Sequence, residues 1–153
     1  MKLENDFLCV EIAETGAEVT RIYDKEKQTE VLWNGDARFW KRHSPILFPN
    51  VGKTWGNTMR IGGKKYPASQ HGFARDTQFS VVKKETDAVS FQMCSTEETK
   101  RKYPYEFVLE IQYRLSGKEL EVEWQVKNCG EEKMYFTVGG HPAFMFAKED
   151  EVK

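Results

Sequence analysis

Three segments in the second half of the chain alternate apolar and polar residues: residues 89–93, 107–113 and 120–126. A period of two is typical of β-strands with one buried face and one face in solvent. Between the last two segments, residues 116–118 (Ser-Gly-Lys) predict a short hairpin turn. Residues 87–127 are therefore expected to form an antiparallel meander.

Shorter apolar segments separated by turn residues predict additional strands elsewhere in the chain. These are residues 7–12, 18–24, 30–33, 79–84 and 134–138, with a hairpin over 59–66 that turns at Gly62-Gly63. No segment has the pattern of a long amphipathic helix, although residues 96–102 are compatible with one helical turn that Pro104 ends. Many short strands with regular turns predict an all-β antiparallel sandwich or barrel.

Length and charge narrow the functional classes. The 153 residues suffice for one domain with a hydrophobic core, and 31% charged with 39% apolar residues is typical of a soluble globular chain. A net charge of −1 argues against a nucleic acid or an anionic membrane as partner. No apolar run is long enough for a membrane span, and the first residues do not resemble a signal peptide, so a cytoplasmic location is expected.

Two loops carry the residues best suited to chemistry. Residues 70–76 (Gln-His-Gly-Phe-Ala-Arg-Asp) contain His71, and residues 139–144 (Gly-Gly-His-Pro-Ala-Phe) contain His141. Histidine titrates near neutral pH, so two histidines on separate loops indicate a polar site. The structural alternatives are a loop histidine bonded to backbone for His71 and a half-buried histidine packed on Phe144 or Phe146 for His141. The histidines and cysteines show no short metal-ligand pair, so neither a metal nor another cofactor is expected.

Several segments resemble the aldose 1-epimerase (galactose mutarotase) family, in particular its LacX-like branch. The match in residues 70–75 covers six consecutive residues, and residues 44–53 (Ser-Pro-Ile-Leu-Phe-Pro-Asn-Val-Gly-Lys) and 139–144 also fit the family. Residues 15–19 and 31–36 look like its opening Gly-Ala-Glu turn and its Leu-Trp-x-Gly-Asp segment. The resemblance implies a galactose mutarotase-like antiparallel β-sandwich. Because family members are considerably longer, residues 1–153 would be a single domain corresponding to the N-terminal half of that sandwich.

The resemblance also implies an activity: interconversion of the α and β anomers of a hexose such as galactose or glucose. A base removes the proton of the anomeric hydroxyl while an acid protonates the ring oxygen, without metal or nucleotide. In the family, the histidine equivalent to His141 is the general acid, and the one equivalent to His71 contacts the sugar and helps to hold the ring oxygen. The family's glutamate base lies in the half that this chain lacks, and the acidic residues 149–151 are better explained as a solvated tail.

The remaining candidate site residues would bind the sugar. Lys53 stands where the family usually has an arginine. Lysine keeps the positive charge of arginine but lacks its planar fork of donors. A solvated surface lysine is the alternative. Arg75 is expected to be either a substrate contact or a structural ion-pairing residue. Five aromatic residues could stack on a sugar ring, and Trp55 and Phe73 are preferred as walls of the site because they lie in the matching loops. The full set of five is Trp33, Trp40, Trp55, Phe73 and Phe144.

Three other functions stay open. A non-catalytic carbohydrate-binding module would keep the acid half of the site. A structural half-domain would pair its exposed sheet with itself or another subunit, so a homo-oligomer or a partner that covers exposed strand edges is expected in addition to a small sugar. A sugar-phosphate epimerase would need a cation cluster such as Lys53 with Arg60 or Lys64.

Overall fold

Antiparallel strands make up the framework of the protein, and the computed structural model describes residues 1–146. The first sheet contains β1 (Lys2–Glu4), β2 (Leu8–Ile12), β3 (Val19–Asp24) and β4 (Thr29–Glu30), hydrogen-bonded in that order. The sequence predicted β2 and β3, whereas β1 was not expected. The acidic segment 149–151 lies outside the described residues.

The middle of the chain contributes three short strands, β5 (Ile46–Leu47), β6 (Thr58–Ile61) and β7 (Lys64–Pro67). The β6–β7 hairpin turns at Gly62 and Gly63, both of which have positive φ angles, as their sequence predicted. Between β5 and β6 the chain is irregular up to a 3-10 turn over Trp55–Asn57, and this region carries the candidate loop residues Lys53 and Trp55.

The second large sheet is formed by consecutive strands: β8 (Ser80–Lys84), β9 (Ala88–Cys94), β10 (Phe107–Ser116) and β11 (Glu119–Asn128). All three pairings are antiparallel, so the predicted meander is confirmed. Along β10, buried residues alternate with half-buried ones from Phe107 to Leu115, which is the pattern expected of a sheet with one face on the core.

A short α-helix lies in the connection between β9 and β10. Helix α1 (Glu97–Lys100) begins at Thr96, whose side chain accepts a hydrogen bond from the backbone N–H of Thr99, while the Thr99 hydroxyl reaches back to the N–H of Thr96. These reciprocal bonds satisfy donors that a helix start otherwise leaves free. The single helical turn before Pro104 agrees with the sequence.

The predicted strand over residues 134–138 is wrong. Within residues 1–146, the last strand is β12 (Gly139–Gly140), which pairs with β5. The preceding residues contact an irregular segment through single bonds: Thr137 donates its N–H to the Pro49 carbonyl, and its hydroxyl accepts from the N–H of Val51. Since their partner is not a strand, no ladder forms.

Aromatic rings and aliphatic side chains from both large sheets fill the core. Phe48, which is fully buried, contacts the rings of Phe107 and Tyr103 at centroid distances of 5.0 and 5.9 Å. Tyr113 of β10 donates its hydroxyl to the carbonyl of Ala17 at 2.6 Å, which ties the second sheet to the loop before β3. Such burial is the main favourable term in the stability of a domain of this size.

The inward face of β11 is not fully covered. Val122 and Trp124 are each 37% exposed. With Leu120, Ile22, Pro142 and Phe144 they line an opening of about 280 Å³, called here the apolar groove. Among the described residues, no helix is long and apolar enough to cross a bilayer.

Candidate functional site

A central segment, residues 43–52, holds the loops of both histidines. Near one end, the Pro45 carbonyl accepts the backbone N–H of His141 at 3.1 Å. At the other end, the Gly52 carbonyl accepts the backbone N–H of His71 at 2.9 Å. Two loops that are 70 positions apart in sequence are therefore attached to one short stretch of backbone.

The ring of His71 is fixed by its δ nitrogen. Nδ1 accepts a hydrogen bond from the backbone N–H of Gly52 at 3.0 Å, so the neutral ring carries its proton on Nε2. The side-chain amide of Gln70 lies 3.3 Å from Nε2. The Nδ1 side of the ring is thus bonded to backbone, as the structural alternative for His71 expects. On the other side of the ring, Nε2–H is a hydrogen-bond donor.

The conformation of this loop explains why it carries glycine at position 72. His71 has a φ of 65° and Gly72 a φ of 71°, two successive left-handed residues. A Cβ at Gly72 would lie 2.1 Å from the carbonyl oxygen of Phe48, which accepts the N–H groups of Phe73 and Ala74. Only glycine lets the chain pass that close to the Phe48 carbonyl while holding a left-handed conformation.

The two histidine rings converge. Their centroids lie 6.0 Å apart with an interplanar angle of 58°. The exposed ring of His141 lies 5.3 Å from the ring of Trp40. The loop motifs favour Trp55 and Phe73 over Trp40 as sugar-stacking residues, because no motif surrounds Trp40. Only the tertiary structure places Trp40 beside His141.

The surroundings of His71 favour its neutral form. Burial lowers the pKa of His71 below its ordinary value, and the positive charges of Arg75 and His141 lower it further. A neutral ring keeps the Gly52 hydrogen bond to Nδ1 intact and leaves Nε2 as a donor. This arrangement suits a hydrogen bond to an oxygen of a ligand.

Arg75 braces the His71 loop from behind. Its Nη2 donates to the carbonyl of Gln70 at 2.8 Å, and its Nε is buried without a hydrogen-bond partner among the described residues. Burial lowers the pKa of Arg75, and the nearby charge of Arg42 adds to the effect. Arg42 donates to Asp76 at 2.5 Å and to the Arg75 carbonyl at 3.3 Å. The contacts of Arg75 are thus within the protein, and its nearest carboxylate oxygen is Oδ2 of Asp76, 3.7 Å from Nε.

The other three predicted sugar contacts lie in different surroundings. Lys53 and Trp55 are exposed and line an open depression of about 740 Å³, and Trp55 is 97% exposed. The ring of Phe73 instead packs against the core, 6.4 Å from the ring centroids of both Phe48 and Phe107. The structure therefore gathers His71, His141 and Arg75, leaves Lys53 and Trp55 on the neighbouring surface, and gives Phe73 a packing role.

Comparison with known proteins agrees with this geometry. The sheets and their order define a galactose mutarotase-like antiparallel β-sandwich, as the sequence predicted. The match is close to a galactose mutarotase-like protein from Lactobacillus casei, with a TM-score of 0.91 and 43% identity over 94% of this chain and 49% of that one. A galactose mutarotase related enzyme from Lactobacillus acidophilus gives a TM-score of 0.93 and 34% identity over 100% of this chain and 51% of that one.

Sequence comparison identifies the family. The aldose 1-epimerase family model matches residues 1–153, so the chain belongs to the aldose 1-epimerase family. It is also 33% identical over 150 residues to the plasmid-encoded protein LacX of Lactococcus lactis subsp. lactis, a match that covers 94% of this chain and 50% of LacX. The chain thus spans about half the length of the relatives it matches.

Proposed function

We propose that this chain supplies the acid side of a site that interconverts the α and β anomers of a hexose. The observation that carries the proposal is the 6.0 Å separation of the His71 and His141 rings. At that spacing, one sugar oxygen can contact both rings, so that one histidine can orient the pyranose ring oxygen that the other protonates. Membership of the aldose 1-epimerase family gives this chemistry its substrate class.

In this proposal the two histidines divide the work. His141 is the general acid that protonates the ring oxygen as the C1–O5 bond breaks, and its exposed ring is accessible to a sugar. His71, neutral and fixed through Nδ1, donates from Nε2 and orients the same oxygen. Ring closure on the opposite face of C1 reverses the proton transfers and gives the other anomer.

The surrounding residues bind the sugar. Lys53 follows directly after Gly52, the residue bonded to His71, and it donates to sugar hydroxyls. Trp55 offers an exposed indole face to the apolar C–H face of a pyranose. Arg75 and Phe73 support the His71 loop from behind through the Gln70 carbonyl and the Phe48 ring.

The general base comes from a polypeptide equivalent to the part of the relatives that this chain does not span. Two carboxylates near the histidine loops are engaged: Glu18 accepts the backbone N–H groups of His43 and Ser44, and Asp76 binds Arg42. Neither is placed to remove a proton from an anomeric hydroxyl. The engagement of both carboxylates by other groups favours a second candidate function, a non-catalytic carbohydrate-binding module.

Polarimetry on freshly dissolved α-galactose separates these two functions. With this chain at high concentration and the unmatched half of the Lactobacillus acidophilus relative added to supply the base, acceleration of mutarotation that is lost in His141→Gln supports the enzyme. A rate equal to buffer, together with galactose-induced NMR shifts at the rings of His71 and His141, supports the binding module. If the mutarotation rate equals that of buffer and galactose leaves the ring signals unchanged, both proposals fail.

The apolar groove receives that same polypeptide. β11 is an edge strand of ten residues whose Val122 and Trp124 stay 37% exposed. In each of the two structural relatives, about half of the chain lies outside the part that this chain matches. An uncovered edge and apolar face of this kind favour pairing with another strand.

Sedimentation velocity tests who occupies the groove. We expect the chain to bind the unmatched half of the Lactobacillus acidophilus relative, and Val122→Lys to abolish the complex without changing the circular dichroism spectrum. A stable homodimer that Val122→Lys dissociates would instead assign the groove to a second copy. A monomer that binds neither partner also contradicts the proposal.

A further inference from the structure

Glu18 is a buried carboxylate with no part in the proposed chemistry. The residue is 8% exposed, yet among residues 1–146 no Lys or Arg lies within ion-pair distance, and the nearest basic side-chain atom is Nδ1 of His43 at 3.9 Å. Its Oε1 accepts the backbone N–H groups of His43 and Ser44, at 2.6 and 2.9 Å. A buried carboxylate is costly without such bonds, and charge-assisted bonds to backbone N–H are among the strong ones. The side chain therefore acts on the backbone of residues 43 and 44.

The same stretch of backbone carries the His141 loop on its other side. The His43 carbonyl accepts the N–H of Ala143 at 2.9 Å, and the Pro45 carbonyl accepts the N–H of His141 at 3.1 Å. Glu18 therefore binds the N–H groups of the same short stretch, residues 43–45, whose carbonyls accept from His141 and Ala143. Any shift of residues 43–45 is passed directly to the backbone of His141.

The opposite end of the central segment is held by other contacts. The Phe48 carbonyl accepts the N–H groups of Phe73 and Ala74, and Gly52 exchanges two hydrogen bonds with His71. These bonds do not involve Glu18. Loss of its carboxylate is therefore expected to loosen the His141 side of the site and to spare the His71 side.

We infer that Glu18 is a positioning residue for His141, acting through the backbone of residues 43–45. It sets the separation of the two histidine rings without touching a sugar. The inference builds on the proposed function, because it assigns Glu18 to the same site. The structural part, selective control of the His141 backbone, can be measured without any sugar.

Backbone amide exchange measured by NMR tests the structural part. In Glu18→Ala, we expect exchange of the His141 and Ala143 amides to accelerate about tenfold or more, while the His71 and Phe73 amides change less than about twofold. Glu18→Gln retains an acceptor oxygen and should stay close to the parent chain. Glu11→Ala, which removes an exposed carboxylate paired with Arg21 in the same sheet, is the matched control and should change none of the four amides.

Glu18→Asp covers the case in which Glu18→Ala does not fold. Shortening the side chain by one methylene keeps the charge but withdraws the oxygen from the two N–H groups, so the same selective acceleration is expected. Equal acceleration of all four amides, or no acceleration in any folded variant, overturns the inference.

Galactose titration then links Glu18 to the site. In the folded variant with accelerated His141 exchange, we expect the dissociation constant from His141 ring shifts to rise about tenfold, and Glu18→Gln to restore it to within about threefold. An unchanged dissociation constant overturns the positioning role. If the parent chain shows no response to galactose, the proposed function fails, while the amide exchange still decides whether Glu18 controls the His141 backbone.

Discussion

Gly52 and His71 hold each other through two reciprocal hydrogen bonds. The His71 backbone N–H donates to the Gly52 carbonyl at 2.9 Å, and the Gly52 N–H donates to Nδ1 of the His71 ring at 3.0 Å. Backbone and ring are thus fixed by one glycine 19 positions earlier. This pair determines which nitrogen of His71 faces outward, and the first three predictions concern this loop.

Gly72→Ala should destabilise the protein strongly. The new Cβ would lie 2.1 Å from the Phe48 carbonyl oxygen at a φ of 71°, so both a steric clash and backbone strain arise. We expect the free energy of unfolding to fall by about 3 kcal/mol or more. Urea denaturation measures this change.

Gly63→Ala is the matched control for that substitution. Gly63 has a similar φ of 79°, but no atom lies within 4 Å of the added Cβ. The expected loss is about 1 kcal/mol from the left-handed backbone alone. Equal losses in the two variants would show that the close approach to Phe48 is unimportant.

The His71 ring should titrate below the ordinary histidine pKa of about 6.5. Burial disfavours its charged form, and the charge of His141 adds to this, so His141→Gln should raise the His71 midpoint. NMR of the ring protons against pH measures both. A His71 midpoint at or above the ordinary value would contradict the prediction.

The lowered pKa of His71 has a consequence for stability. Because the folded state binds this proton less well than the unfolded chain, the neutral ring contributes stability above pH 6.5 or so, and this contribution is lost as pH falls through the folded-state pKa. Urea midpoints measured from pH 8 down to pH 5 should therefore fall further in the parent chain than in His71→Gln. Parallel curves would contradict this.

Tyr113→Phe should cost about 1–2 kcal/mol of unfolding free energy. The Tyr113 hydroxyl donates to the buried Ala17 carbonyl at 2.6 Å, and the substitution leaves that carbonyl without this donor. Tyr135→Phe, at a side chain that is 65% exposed, serves as the control and should change stability by less than about 0.5 kcal/mol. Thermal or urea denaturation compares the two, and similar losses would argue against the buried bond.

Trp55→Ala should weaken galactose binding, whereas Phe73→Ala should lower stability. Trp55 is 97% exposed, so its loss should leave stability within about 0.5 kcal/mol while weakening galactose binding. Phe73 packs on Phe48 and Phe107, so its loss should cost about 2 kcal/mol. Denaturation and galactose titration measure both quantities. Unaltered sugar binding in Trp55→Ala would remove Trp55 from the site.

The alternation of residues 107–113 and 120–126 was enough to predict β10, β11 and their hairpin. Strand pairing between neighbours in sequence needs only the local pattern and a turn, here Gly117 with a positive φ. Residues 134–138 show where this reasoning fails. Their apolar character indicated a strand, but whether a ladder forms depends on a partner about 90 positions away, which here is irregular.

The sequence by itself determined the strands of the meander, the hairpin turn at Gly62-Gly63 and, through the resemblance of its loops, the family. Only the tertiary structure decided that the rings of His71 and His141 meet, that Trp40 lies beside His141 and that Phe73 packs inward. The physical reason is that turns and strand faces follow from neighbouring residues. The spacing of two loops, in contrast, depends on long-range hydrogen bonds to residues 43–52 that leave no periodic pattern in the chain.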